Sequence, residues 1–113
     1  MMQVRAQTMY LSIAPQKLRL VCDQVRGMGA EQALSVLKFM PKKGAKMVSK
    51  TLSSAIANAA NNNDLDVGNL YVEKIHADEG PSLKRYKAGA RGRYKPRKRR
   101  TSHLTIILAE REE

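Results

Sequence analysis

Aromatic residues are scarce in this chain of 113 residues, which has no tryptophan, one phenylalanine and four tyrosines. Proteins that bind single-stranded nucleic acid commonly stack bases on aromatic side chains, and this chain has few aromatic side chains. The motif of the common sheet-based RNA-recognition fold is absent as well. Any binding of nucleic acid therefore has to depend mainly on phosphate contacts and on shape, as in the recognition of double-helical RNA.

Cysteine and histidine are almost missing. The single cysteine, Cys22, cannot form an internal disulfide, which fits a reducing compartment. Its spacing places it on an apolar helix face, so we expect a buried structural thiol and not a nucleophile. The two histidines, His76 and His103, offer too few partners for a zinc site, and we expect packing or a phosphate contact for them instead.

The sequence shows no group of residues suited to catalysis. Asp78 and Glu79 are neighbours on a predicted strand, so their carboxylates point to opposite faces and cannot act as a pair. No phosphate-binding glycine loop is present, and the glycines of AGARGR are not followed by a helix. We therefore expect a protein that is not an enzyme and that uses no cofactor, metal or small-molecule substrate.

Long apolar runs are missing too. None approaches the roughly 20 residues that a membrane-spanning helix needs, and the N-terminal MMQVRAQTMY lacks the apolar core of a signal peptide. The sequence thus predicts a cytoplasmic protein with no membrane partner.

Positive charge is plentiful and is concentrated in one stretch. The formal net charge is +11, and ten of the 17 residues of Lys84–Arg100 are Lys or Arg while none is acidic. The remaining 96 residues carry 11 basic and 10 acidic groups, a net charge of +1. Such a stretch predicts a polyanionic partner, because neutralising phosphates releases condensed counterions. A membrane surface is less suitable, since the interleaved Tyr, Ala, Gly and Pro form no apolar stripe.

Hydrophobic periodicity predicts three helices and three strands. In chain order we expect a strand at 3–11, helices at about 15–26, 30–40 and 42–60, and strands at 70–77 and 104–108. In the second strand, Leu70 and Val72 alternate onto one face while Ile75 and Ala77 alternate onto the other. A one-residue bulge near Glu73 and Lys74 would bring all four to the core, and we predict one there.

The basic stretch lies between two predicted strands, so it is not a tail. The connection is far longer than a usual hairpin loop, and we predict that the strands continue outward as an antiparallel hairpin arm. Its midpoint is expected between Ala90 and Arg91, and its reach is roughly 40 Å. Such an arm has no core and would be ordered by its anionic partner. The prediction is a single domain over residues 1–113, with a globular part at about 1–77 and 104–113 and an arm at about 78–103.

Several stretches resemble a known family. The segments IAPQKLRLVCDQVRG, LSSAIANAANN and above all ADEGPSLKR, ARGR and KRRTSHLTIIL are similar to the bacterial large-subunit ribosomal protein twenty-two family, from about Gln3 to Glu110. The resemblance implies an α+β fold, with three helices packed on a three-stranded antiparallel sheet and a long protruding β-hairpin at about residues 78–103. It also implies a structural constituent of the ribosome that binds large-subunit (23S) ribosomal RNA (rRNA), contacts several rRNA domains and supports early assembly of the large subunit.

The resemblance also implies a position at the polypeptide exit tunnel, with the hairpin lining the tunnel wall. The partners it implies are large-subunit rRNA, neighbouring ribosomal proteins including protein four of the large subunit at the tunnel constriction, and the passing nascent polypeptide. This tip lacks the Pro-Arg that the family usually has before its Gly-Arg. The residues expected to line the tunnel are Ala88, Gly89, Ala90, Arg91 and Gly92.

Two sets of residues are the expected rRNA contacts. The hairpin set matches or neighbours the family's basic positions and comprises Lys84, Arg85, Lys87, Arg91, Arg93, Lys95, Arg97, Lys98, Arg99, Arg100, Ser102 and His103. The globular set comprises Arg5, Lys17, Arg19, Arg26, Lys43, Lys46 and Lys50. Two tyrosines of the arm, Tyr86 and Tyr94, either stack on unpaired bases or pack against guanidinium planes.

A free protein that binds nucleic acid non-specifically, as in a nucleoid, is the alternative function. Such a protein gains from charge that is spread over a face. Here the globular part is close to neutral and the charge lies on a thin projection, which favours insertion into a folded RNA.

Overall fold

Three α-helices pack on one face of a three-stranded antiparallel sheet in the computed structural model of the chain, which confirms the expected α+β class. The structure describes residues 3–88 and 94–110, with the backbone alone at 83–88 and 94–99. The predicted arm midpoint, the tip residues Gly89, Ala90, Arg91 and Gly92, and the predicted rRNA contact Arg93 lie outside the described residues. The elements are β1 (Gln3–Leu11), α1 (Pro15–Val25), α2 (Ala30–Lys38), α3 (Lys43–Asn62), a 3₁₀ turn (Val67–Asn69), β2 (Leu70–Glu79), β3 (Leu83–Ala88), β4 (Tyr94–Arg99) and β5 (Ser102–Glu110).

Proline and glycine set the ends of the first helix. Pro15 occupies its first turn, where a missing N–H costs no helical hydrogen bond. After the helix, Gly27 takes a φ of +84°, which a residue without a Cβ adopts without strain. This turn lets the Gly27 N–H donate to the Val72 carbonyl at 3.0 Å, so the end of α1 is joined directly to β2.

The core lies between the helices and the sheet. On α1, the predicted face of Leu18, Val21, Cys22 and Val25 is fully buried. The facing side of α3 is rich in alanine, including Ala45, Ala55 and Ala59, all buried. Small side chains there let the helix lie close to the sheet, where Leu104, Ile106 and Leu108 of the central strand complete the core.

The predicted bulge in β2 is confirmed. The register of β2 against β5 shifts between Val72 and Lys74. As a result Leu70, Val72, Ile75 and Ala77 are all buried on the helix side of the sheet. The opposite side presents alternate residues such as His76 and Asp78 to solvent.

The arm is a separate two-stranded sheet and not a continuous extension of the core ladder. Strand order in the core sheet is β1-β5-β2, while β3 pairs only with β4. The core ladder ends where Glu79 pairs with Ser102, and the arm ladder begins where Leu83 pairs with Arg99. Three residues, 80–82, therefore face two, 100–101, across the junction. The chain measures 66 Å along its longest axis against 25 and 18 Å along the others, consistent with a projecting arm.

Candidate nucleic-acid interface

The register of the arm places like charges opposite one another. Lys84 pairs with Lys98, Arg85 with Arg97 and Lys87 with Lys95. Directly opposed like charges destabilise an antiparallel pair, and a two-stranded hairpin is at best marginally stable alone. An anion that contacts both strands would relieve this repulsion.

The junction between arm and core is held by a short, close-packed set of contacts. The Gly80 N–H donates to the Thr101 carbonyl at 3.0 Å, and the Thr101 hydroxyl donates to the Pro81 carbonyl at 2.6 Å. A Cβ on Gly80 would lie 2.5 Å from the Thr101 Oγ1 and 3.0 Å from the His103 Cε1. Glycine is favoured at this position because a side chain would crowd the Thr101 hydroxyl and the His103 ring.

Ser102 belongs to this junction and not to a surface that could touch RNA. Its side chain is 0% exposed, and its hydroxyl donates to the Ile13 carbonyl at 2.6 Å. The expectation that Ser102 contacts rRNA is corrected on this ground. A buried hydroxyl with a single backbone acceptor fixes the start of β5 against the loop that precedes α1.

His103 is tied to the first strand. The Tyr10 N–H donates to the His103 Nδ1 at 3.0 Å, and the two rings meet edge to face with centroids 4.9 Å apart. Tyr10 adopts a φ of +58°, rare for a residue with a side chain. This bond leaves Nε2 as the nitrogen available to a phosphate, and it also satisfies the expectation of packing at the arm base.

A cleft of about 210 Å³ lies where the arm meets the first helix. We call it the arm-base cleft, and the described residues that line it are Pro15, Gln16, Arg19, Glu79 and Arg100. Arg19 is held in place because its Nε donates to the Ala77 carbonyl at 3.0 Å. Both Arg19 and Arg100 were predicted rRNA contacts, and the fold brings them together although 80 residues separate them in the chain.

Arg26 has a structural task in addition to its charge. One guanidinium nitrogen donates to the Ile75 carbonyl at 2.8 Å, and the other donates to Asp23 at 2.6 Å. Together with Arg19, it covers carbonyls along the open edge of β2. An uncovered strand edge invites pairing with other chains, so part of the basic character of α1 protects the sheet.

The remaining globular cations are spread over the surface. Arg5 lies on the exposed side of β1 and Lys17 in the first turn of α1, both exposed. Lys43 donates to the Ser12 carbonyl at 2.9 Å. Lys46 and Lys50 line a groove of about 450 Å³ between α2 and α3.

Two lysines near that groove were not predicted. Lys38 lines the same groove as Lys46 and Lys50, and Lys42 follows at the N-cap of α3. Residues 32–63 contain five lysines and no acidic residue. A charge count over each predicted helix would have found this second basic surface.

The environment of Cys22 opposes reactivity. Burial raises the pKa of its thiol from 9.0 to about 11, although the nearby Arg26 charge pulls the pKa in the other direction. The thiol is therefore protonated at neutral pH, as expected of a structural cysteine. Within residues 3–82 and 100–110, no three potential metal ligands lie close enough to hold an ion. Among the helices described, none is both long and apolar enough to cross a bilayer.

Comparison with known proteins gives one consistent result. Residues 6–109 match the family described as Ribosomal protein L22p/L17e. The large ribosomal subunit protein uL22 of Carboxydothermus hydrogenoformans is 49% identical over 112 residues, which is 99% of each chain. The protein of the same name from Desulfotalea psychrophila is 52% identical over 109 residues, covering 96% of this chain and 99% of its own. That from Halothermothrix orenii is 46% identical over 112 residues.

Proposed function

The chain belongs to the Ribosomal protein L22p/L17e family, and on this premise we propose that its arm binds large-subunit rRNA. As a member of this family, the chain is a structural protein of the large ribosomal subunit and not an enzyme. It is located in the ribosome, in the cytoplasm. The observation that carries the proposal is the concentration of ten cations in Lys84–Arg100, seven of them on the paired strands β3 and β4, whose register sets like charges opposite one another.

The arm sequence and the fixed junction support insertion into folded RNA. Each Lys or Arg that neutralises a phosphate contributes to affinity by releasing counterions. Hydrogen bonds through Gly80, Thr101 and Ser102 attach the arm to the core at a defined place. The hairpin set without Ser102 provides the main rRNA contacts. The basic residues of the globular set provide a second group of rRNA contacts.

The finer functions follow the family. We propose that the arm contacts several rRNA domains, that the protein acts early in large-subunit assembly, and that residues 88–92 line the exit tunnel. Its protein neighbours would include protein four of the large subunit, and the nascent polypeptide would pass the tip. No membrane or small-molecule partner is part of the proposal.

A deletion tests the role of the arm. Replacing Lys84–Arg100 by Asn-Gly removes ten positive charges and leaves the core residues in place. We expect the shortened protein to unfold cooperatively, since the described core residues all lie outside the deleted stretch. We also expect it to be missing from large subunits in sucrose gradients after a high-salt wash, while the full chain remains.

The same gradients distinguish the alternative. Binding by phosphate contacts alone weakens by roughly a thousandfold or more over a few-fold rise in salt. A full chain that leaves the subunits at moderate salt would favour the free, non-specific nucleic-acid binder. A shortened chain that stays in washed subunits would instead show that the arm is dispensable.

A further inference from the structure

The arm-base cleft is lined by charges of both signs that are not joined in a close ion pair. Arg19 and Arg100 line it together with Glu79. In the described part of the chain, no ion pair within 4.0 Å joins Glu79 to either arginine. We propose that this cleft holds one unpaired guanosine of the bound RNA, with its phosphate at the two arginines and its base at Glu79. The proposal rests on the rRNA-binding function proposed above and names a contact within it.

The cationic side of the cleft suits a phosphate. Arg19 is oriented by the bond from its Nε to the Ala77 carbonyl, which leaves its terminal nitrogens for a ligand. Arg100 is the last residue of the basic stretch and stands next to the buried Thr101, so its backbone is anchored. A planar guanidinium binds a phosphate through two parallel hydrogen bonds. The first turn of α1 at Pro15 contains no acidic residue to oppose the anion.

Glu79 determines the nature of the ligand. A carboxylate repels phosphates and can only accept hydrogen bonds, so its place in an RNA-binding cleft requires a donor on the RNA. Guanine presents two adjacent donors, N1–H and N2–H, on its Watson–Crick edge, which match the two oxygens of a carboxylate. The corresponding edges of adenine, cytosine and uracil set an acceptor beside each donor, and that acceptor would face the carboxylate.

The size and position of the cleft fit a single base. Its volume of about 210 Å³ is below the roughly 300–1,000 Å³ typical of pockets for larger ligands. Pro15 is buried and forms part of the cleft wall, and the exposed Gln16 beside it has an amide that offers a further donor and acceptor. The Watson–Crick edge of a paired guanine is already occupied, so the nucleotide has to be one that is splayed out of a bulge or loop.

Chemical probing tests the contact. Kethoxal modifies unpaired guanines at N1 and N2, the same atoms that Glu79 is proposed to bind. The full chain is bound to deproteinised large-subunit rRNA of its own organism, and the guanines protected by the wild type are mapped by primer extension. The variant is Glu79→Gln, which keeps the side-chain shape and replaces one acceptor oxygen by a donor.

Asp78→Asn is the matched control. It removes the same charge one residue away, but Asp78 lies on the opposite side of β2, with its Oδ2 3.6 Å from the His76 Nε2. General electrostatics predicts that both variants bind RNA somewhat more tightly, because each removes a negative charge. The proposal predicts that Glu79→Gln alone loses protection of one guanine and binds about tenfold more weakly, the size of one two-bond base contact.

Three outcomes are informative. Loss of one protected guanine in Glu79→Gln but not in Asp78→Asn supports the cleft. Identical protection in all three proteins overturns it and leaves the rRNA-binding function standing. Absence of any protection by the wild type overturns both.

A change in the RNA makes the test independent of protein folding. Replacing the protected guanosine by adenosine should weaken wild-type binding by a similar factor and should leave binding of Glu79→Gln almost unchanged. Equal sensitivity of the two proteins to that replacement would contradict the proposed contact.

Discussion

Gly80→Ala tests whether the close approach at the arm junction is real. The new Cβ would lie 2.5 Å from the Thr101 Oγ1, a distance that forces something to move. Thr101 cannot rotate freely, because it is 4% exposed and its hydroxyl is bonded to the Pro81 carbonyl. The His103 Cε1, 3.0 Å away, limits relief on the other side. The substitution therefore crowds a packed site and does not merely fill space.

The expected cost follows from two opposing terms. Crowding of a packed site typically costs about 1–3 kcal/mol. Replacing glycine by alanine lowers the entropy of the unfolded chain and offsets about 0.4–1 kcal/mol of this. We expect a net loss of about 1–2 kcal/mol in the free energy of unfolding, measured by urea denaturation of the full chain followed by circular dichroism.

A control and a double-mutant cycle make the result specific. Gly29→Ala is the control, since its new Cβ would meet only the Leu70 carbonyl oxygen at 3.9 Å, an ordinary contact. We expect this substitution to change the free energy of unfolding by no more than about 0.5 kcal/mol. Thr101→Ala removes the clashing oxygen and should cost about 1 kcal/mol alone, but less in the Gly80→Ala background. Additive effects, or a Gly80→Ala variant as stable as the wild type, would refute the close approach.

Two further predictions concern buried groups in the core and at the junction. Ser102→Ala should lower the free energy of unfolding by about 1–3 kcal/mol, because the Ile13 carbonyl loses its donor at a fully buried site. The control is Ser53→Ala, exposed on α3, which should change the free energy of unfolding by less than about 0.5 kcal/mol. Equal effects of the two substitutions would contradict the role of the Ser102 hydroxyl. Burial raises the pKa of the Cys22 thiol from 9.0 to about 11, so as the pH rises the thiol ionises at a lower pH in the unfolded chain than in the folded one. The free energy of unfolding should therefore fall between about pH 9 and 11, by up to about 1.4 kcal/mol per pH unit. Cys22→Ala should be less sensitive to alkali in urea denaturation over that range, and an unchanged alkaline slope would show that burial does not hold the thiol protonated.

The elements could be predicted because their signals are local. The face of α1 and the bulge near Glu73 follow from the periods of helix and strand, which a few neighbouring residues reveal. The predicted helix ends differ from the structure: α2 ends at Lys38 and α3 continues to Asn62, against predicted ends at Met40 and Ala60. End residues contribute little burial, so the apolar pattern constrains them weakly.

The roles of single side chains could not be predicted in the same way. Arg19 and Arg26 are basic residues that the sequence assigns to RNA, yet each also binds a carbonyl of β2, 58 and 49 residues away. The Ser102 hydroxyl finds its acceptor 89 residues away. Such pairings depend on how the strands and helices meet, and no short-range pattern records them.

The sequence by itself determined the order of helices and strands and the concentration of positive charge in one stretch, which predicts an anionic partner, because charge and apolar periodicity are properties of neighbouring residues. Only the tertiary structure decided that the ladder is interrupted at residues 80–82 and 100–101, where a side chain on Gly80 would crowd Thr101 and His103. It also decided that Glu79 shares a cleft with Arg19 and Arg100. The physical reason is that close packing and cleft geometry depend on the distance between segments far apart in the chain, and this distance is set when the core is buried.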